Sequence, residues 1–121
     1  MPSAVASKKF DLLDRTRNYS LDIRNLVRSL PVNIVTADDI KQLIRSSRLI
    51  GANYIEACEA LSKKDFIHRI KIVRKEAKET LYWLSMLRAS YPEELSRIER
   101  LYDEAAQLMK IFGAILVKVE K

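Results

Sequence analysis

Five residues in the middle of the chain set the first chemical question. Lys64, His68, Lys71, Lys75 and Lys78 follow one another at intervals of four, three, four and three. An α-helix turns once every 3.6 residues, so this spacing stacks them in one line along a helix. Tyr82 extends the line by one more step of four. Ammonium groups in a row neutralise phosphates without reading bases. The pattern therefore points to nucleic acid or another acidic partner, although a solvated helix face has the same look. A second line lies at Arg17, Arg24 and Arg28. The candidate nucleic-acid-binding residues are thus Lys64, Lys71, Lys75, Lys78, Arg17, Arg24 and Arg28. One aromatic beside the first line, with no aromatic repeat, offers little platform for stacking on single-stranded bases.

Catalytic readings fare worse. His68 is the only histidine, and its helical neighbours Lys64, Lys71 and Lys75 repel a metal ion and disfavour an imidazolium. No glutamate precedes it by three, so the Glu-x-x-His pair of a bundle-core di-iron site is missing. An arginine–histidine ribonuclease pair is absent because residues 62–64 are Ser-Lys-Lys. Cys58 has no histidine near it and falls on the inner row of its helix, where a thiol packs as a small apolar group. With two glycines in the chain there is no phosphate-cradling loop. The expectation is a binding protein with no catalytic residue, no metal and no cofactor.

A further polar set has a structural reading. Asn53 and Glu56 lie three apart, and Glu76, Glu79 and Thr80 fall within about one turn. If these meet between helices, with Arg45 or Arg48 as counter-charge, the set Arg45, Asn53, Glu56, Glu76 and Glu79 is expected to form a polar network that specifies helix register.

The elements that must carry these residues are helices. Strong punctuation occurs at Leu30-Pro31-Val32-Asn33, at Leu61-Ser62-Lys63-Lys64-Asp65 and at Ser90-Tyr91-Pro92. A first helix from about Lys9 to Leu30 has the seam Leu12, Thr16, Tyr19, Ile23, Leu26, Leu30. Pro31 ends it, since the residue before proline is biased away from helical angles. A second helix starts after Thr36, whose hydroxyl suits a cap, with Asp38 and Asp39 at the positive helix start. Its rows are Ile40, Ser47, Tyr54, Leu61 and Ile44, Gly51, Cys58. The small Ser47 and Gly51 let a neighbouring helix come close. Ser62 with Asp65 resembles a capping box for the third helix, whose seam is Phe66, Ile70, Val73, Ala77, Thr80, Leu84, Leu87. Pro92 suits the first position of the fourth, with the seam Leu95, Ile98, Tyr102, Ala105, Met109, Phe112, Leu116, Val119. Leu101, Leu108 and Ile115 run alongside.

Four amphipathic helices with short turns predict an all-α, antiparallel up-down-up-down four-helix bundle, as one domain over residues 1–121 with about residues 1–8 disordered. Helices one and three then sit on a diagonal. The scarcity of glycine and proline (2 and 3 in 121 residues) argues against a sheet protein. One cysteine excludes an internal disulfide and suits a reducing compartment. No stretch approaches the roughly 20 apolar residues of a membrane span, and residues 1–8 lack a signal core. A cytoplasmic protein with no membrane contact is expected. The net charge is +6, and the first and third helices hold the excess. Residues 62–90 alone have eight basic against three acidic residues.

Gln42-Leu43-Ile44-Arg45-Ser46-Ser47-Arg48-Leu49-Ile50-Gly51-Ala52-Asn53-Tyr54-Ile55-Glu56-Ala57, followed by Ser62-Lys63-Lys64-Asp65-Phe66 and Lys75-Glu76-Ala77-Lys78-Glu79-Thr80-Leu81-Tyr82-Trp83-Leu84, carries a family likeness. It resembles the signature of the 23S rRNA intervening-sequence protein family, with Lys-Glu-Ala-x-Glu-Thr its most specific phrase. The chain departs from the signature at Leu49, Tyr54-Ile55 and Cys58-Glu59. The resemblance implies a bacterial or archaeal cytosolic bundle related to the accessory proteins of diversity-generating retroelements. It further implies a homo-oligomer, a homopentamer by preference, with RNA or DNA and a reverse transcriptase or another protein as partners. Ile67, Ile72, Leu81, Trp83, Leu49 and Ile111 fall on helix flanks and are expected to serve such an assembly. The functional expectation is an oligomeric, nucleic-acid-associated accessory protein; the alternative is a protein-interaction scaffold without nucleic-acid contact.

Overall fold

The computed structural model describes residues 4–121, with side chains described from Asp11 onward. Its helices are α1 (Ala4–Arg28), α2 (Ala37–Cys58), α3 (Lys63–Ser90) and α4 (Leu95–Glu120), with a short 3-10 turn at Pro92–Glu94. The expected disorder of residues 1–8 lies outside the described residues for 1–3, while residues 4–8 belong to α1.

Each helix boundary has a local cause. Past Arg28 the chain tightens, with Ser29 N donating to Leu26 O and Leu30 N to Val27 O, before Pro31 prevents continuation. Ser62 Oγ accepts from Asp65 N at 3.0 Å, so the α3 cap forms as its sequence suggests. Pro92 opens the 3-10 turn that leads into α4.

Thr36 does not cap α2 with its side chain. It is buried, and its Oγ1 sits 2.7 Å from the Tyr91 hydroxyl. Asn33 takes over the capping: its Oδ1 accepts from Val35 N at 2.9 Å and Thr36 N at 3.1 Å, and its carbonyl accepts from Ala37 N. The tertiary contact to Tyr91 captures the hydroxyl that the local pattern assigns to the cap. Tyr91 also donates to Pro31 O at 2.6 Å, tying the α1–α2 loop to the α3–α4 turn.

The helices pack in a ring, α1 beside α2, α2 beside α3, α3 beside α4 and α4 beside α1, leaving α1/α3 and α2/α4 as diagonals. One apolar cluster fills the centre, including Tyr19, Ile23, Leu26, Leu43, Ile50, Ile70, Leu84, Leu87, Leu108 and Phe112. Every seam residue of α1 is buried. Two seam assignments fail at helix ends. Leu61 is 100% exposed because α2 stops at Cys58 and the turn swings it outward, and Leu95 is exposed at the first turn of α4. Leu108, assigned to a flank, is fully buried, while Tyr102 and Met109 are half-buried.

Two packed edges differ in kind. Gly51 brings α2 against α1: a Cβ there would lie 3.2 Å from Thr16 Oγ1 and 3.4 Å from Thr16 Cβ. The α1–α4 edge is held by longer polar side chains. Arg15 donates from Nε and Nη2 to Glu104 at 2.8 and 2.7 Å, and the Tyr19 hydroxyl donates to Leu101 O at 2.7 Å.

Candidate nucleic-acid interface

Lys64, His68, Lys71, Lys75, Lys78 and Tyr82 are all exposed along the outer side of α3. The seam Ile70-Val73-Ala77-Thr80-Leu84 faces inward, so residues about half a turn away must face water. The packing of α4 against α3 turns part of this line into a groove. Lys71, Arg74, Lys75 and Lys78 form one wall and Lys110 of α4 contributes from the other, around a cavity of about 800 Å³. Met109, Gly113, Leu116 and Val117 line it with apolar surface, and Glu120 is its one acidic residue. Gly113 leaves room for the Arg74 side chain, whose Nε would lie 3.6 Å from a Cβ at that position.

Among the described residues these cations have no acidic partners. Among the described residues the ion pairs are Arg15–Glu104, Arg88–Glu99 and Arg97–Glu94, and none involves the groove. Like charges three and four apart on a helix repel by roughly 0.2–0.5 kcal/mol per pair. The groove is therefore held together against its own charge by the apolar core beneath it. An anion laid along it would relieve that repulsion.

The other candidates distribute as follows. Lys64 lies on the same outer face of α3, near its start, outside the groove lining. Arg17, Arg24 and Arg28 are exposed on α1, which is diagonal to α3, so the two lines do not merge. Arg74 and Lys110 were not singled out from sequence. Arg74 had a signal, since it stands three after Lys71 and four before Lys78. Lys110 had none without knowing how α4 sits against α3.

The five-residue polar set does not come together as one network. Asn53 Nδ2 donates to Leu49 O at 2.9 Å, and its Oδ1 accepts from Arg69 Nη1 at 3.3 Å. Glu79 Oε1 accepts from Trp83 Nε1 at 3.4 Å. Arg45 and Glu56 are exposed. Glu76 is only 4% exposed, and its Oε1 has no hydrogen-bond partner among the described residues. Burial pushes its carboxyl above the ordinary glutamate range, Glu79 adds to the shift, and Lys75 and Arg45 oppose it. The buried α2–α3 polar contact is instead Ser46 with Thr80, whose Oγ1 lies 2.9 Å from Ser46 Oγ and 2.8 Å from Glu76 O.

Of the six apolar flank residues, all are half-buried; Ile67, Leu81, Trp83 and Ile111 pack onto the central cluster. The most exposed apolar side chains are elsewhere, at Ile34, Val35, Leu61 and Val117. Among the described residues no group of His, Cys, Asp and Glu has the arrangement of a metal site, and no helix is long and apolar enough to cross a membrane.

Ring packing of four antiparallel helices, with a cationic groove between the last two, defines a class of small helical-bundle proteins. A profile of the 23S rRNA-intervening sequence protein family matches residues 8–114, and the chain belongs to that family. A crystal structure from Bacteroides thetaiotaomicron, described as a protein of unknown function from the S23 ribosomal protein family, is similar in fold and sequence. It is 30% identical, with a TM-score of 0.76, over 87% of this chain and 97% of that one. Comparison with curated proteins gives no match.

Proposed function

We propose that this protein binds the phosphate backbone of nucleic acid along the α3–α4 groove, as an accessory protein that holds its partner without altering it covalently. The observation that carries this reading is the convergence of Lys71, Arg74, Lys75, Lys78 and Lys110 on one groove with no acidic side chain among the described residues paired to them. The family description refers to 23S rRNA intervening sequences, which makes RNA the first nucleic acid to test.

Counterion release sets the expected signature. Five phosphate contacts on a single strand give a slope of about −3.5 in log affinity against log salt, or roughly 100-fold weaker binding between 50 and 200 mM. Replacing Lys71, Lys75 and Lys78 by Glu should abolish binding in this groove at low salt. Binding that ignores salt, or that this triple reversal leaves unchanged in affinity and stoichiometry, overturns the proposal.

A scaffold reading has its own support in an ordered loop that presents apolar side chains to water. Val32, Ile34 and Val35 are exposed, yet Asn33 and Tyr91 hold their backbone in place. In that case the triple reversal leaves protein-partner capture intact, with a reverse transcriptase the partner the resemblance implies. Self-association, as the homopentamer implied by the same resemblance, belongs to either reading; mass in solution with and without RNA measures it.

A further inference from the structure

The α1 arginines, left aside by the α3–α4 groove, have a place of their own. Thr16 and Gly51 mark the line where α1 touches α2. Leu13, Val27 and Ile44 are half-buried and pack on the core, and on an ideal helix Leu13 and Val27 fall on the Thr16 side of α1 and Ile44 on the Gly51 side of α2. On an ideal helix, Arg17, Arg24 and Arg28 lie on the α2-ward flank of α1, just outside Leu13 and Val27. By the same geometry Lys41 and Arg48 lie on the α1-ward flank of α2, just outside Ile44 and Gly51. All five are exposed, and none belongs to an ion pair among the described residues. No acidic residue shares these flanks between Arg17 and Arg28 or between Lys41 and Ile55.

The ring order makes the α1–α2 edge opposite the α3–α4 edge. Between them on one side runs the α1–α4 groove, whose lining includes Asp11, Asp14, Asp22 and Glu104. Arg15, Arg97 and Arg100 line it too, but Arg15 is paired with Glu104 and Arg97 with Glu94, so on this side a polyanion meets Asp11, Asp14 and Asp22 against Arg100 alone. We infer that one chain takes two separate nucleic-acid segments at once, one against α1–α2 and one against α3–α4, and so brings them together. This rests on the proposed phosphate binding and adds to it a second site and a bridging role.

The lengths fit short probes. Arg17 to Arg28 spans about 16 Å along the helix axis at 1.5 Å per residue. A six-nucleotide RNA, roughly 17 Å when stacked at 3.4 Å per step, covers one edge but is too short to reach round to the other. Titrating the full chain with such an oligonucleotide at low salt should saturate at two per chain. The Arg17/Arg24/Arg28→Glu variant and the Lys71/Arg74/Lys78→Glu variant should each saturate at one, and their combination should bind none. Counting per chain makes the result independent of oligomer number, and circular dichroism checks each fold. If a Glu variant loses helicity, the matching Gln variant is used, with at least tenfold weaker binding at the altered edge expected. Saturation of the wild type at one per chain, with the Lys71/Arg74/Lys78→Glu variant binding none, overturns the two-site inference and leaves the groove proposal standing; loss of all binding in the Arg17/Arg24/Arg28→Glu variant overturns both. No binding by the wild type overturns both.

Discussion

Glu76 illustrates what a single residue can be asked to do against its own chemistry. Its carboxyl is buried with one oxygen unpartnered, and burial raises its pKa, with the neighbouring Glu79 adding to the rise. A carboxyl that holds its proton more tightly when folded than when unfolded loses stability as pH rises through the ordinary carboxylate range toward the raised value. Ionising it at neutral pH therefore works against the fold. Glu76→Gln should raise the melting temperature at pH 7, and the gain should shrink as pH falls below the ordinary glutamate range, where both side chains are neutral. Thermal melts at a series of pH values check this; a gain that grows toward acid pH contradicts it.

Helix-to-helix contact depends on small residues placed at one level. Gly51 costs α2 about 1 kcal/mol in propensity relative to alanine, and in return lets α1 approach to within van der Waals distance of its backbone. Gly51→Ala should be close to neutral, since the propensity gain offsets a shift of a few tenths of an ångström against Thr16. Gly51→Val has no such balance: its extra methyls drive into α1, at a cost of about 1–3 kcal/mol. Chemical denaturation of the two variants should separate them clearly. The opposite case is the α1–α4 edge, where Arg15 and Glu104 span the gap with two hydrogen bonds. Each side chain is about 30% exposed, so Glu104→Gln should cost no more than about 1 kcal/mol. A larger loss in denaturant titration would mean that this pair, and not the apolar core, holds α1 in place.

At the scale of the whole molecule, charge is sorted by edge. The net +6 is concentrated on α1 and α3, and the ring packing places these helices on a diagonal. Each then holds its exposed cations at a different edge of the ring, α1 beside α2 and α3 beside α4. Acidic residues gather between α1 and α4.

Much of this was legible in the chain itself. Heptad-spaced apolar residues determined four helices and the buried row of α1, because burying an oily stripe leaves little choice of partner surface. The Ser62 cap and the outward lysine line of α3 were readable for the same local reasons. The tertiary structure decided what depends on two elements at once. It turned Thr36 from a cap into a partner of Tyr91, sent Leu61 into water when α2 ended early, and separated Asn53, Glu76 and Glu79 into different surroundings. It also joined Lys110 to Lys71, Arg74 and Lys78. Spacing along one helix says which residues share a face, but only the packing of a second helix says what that face meets.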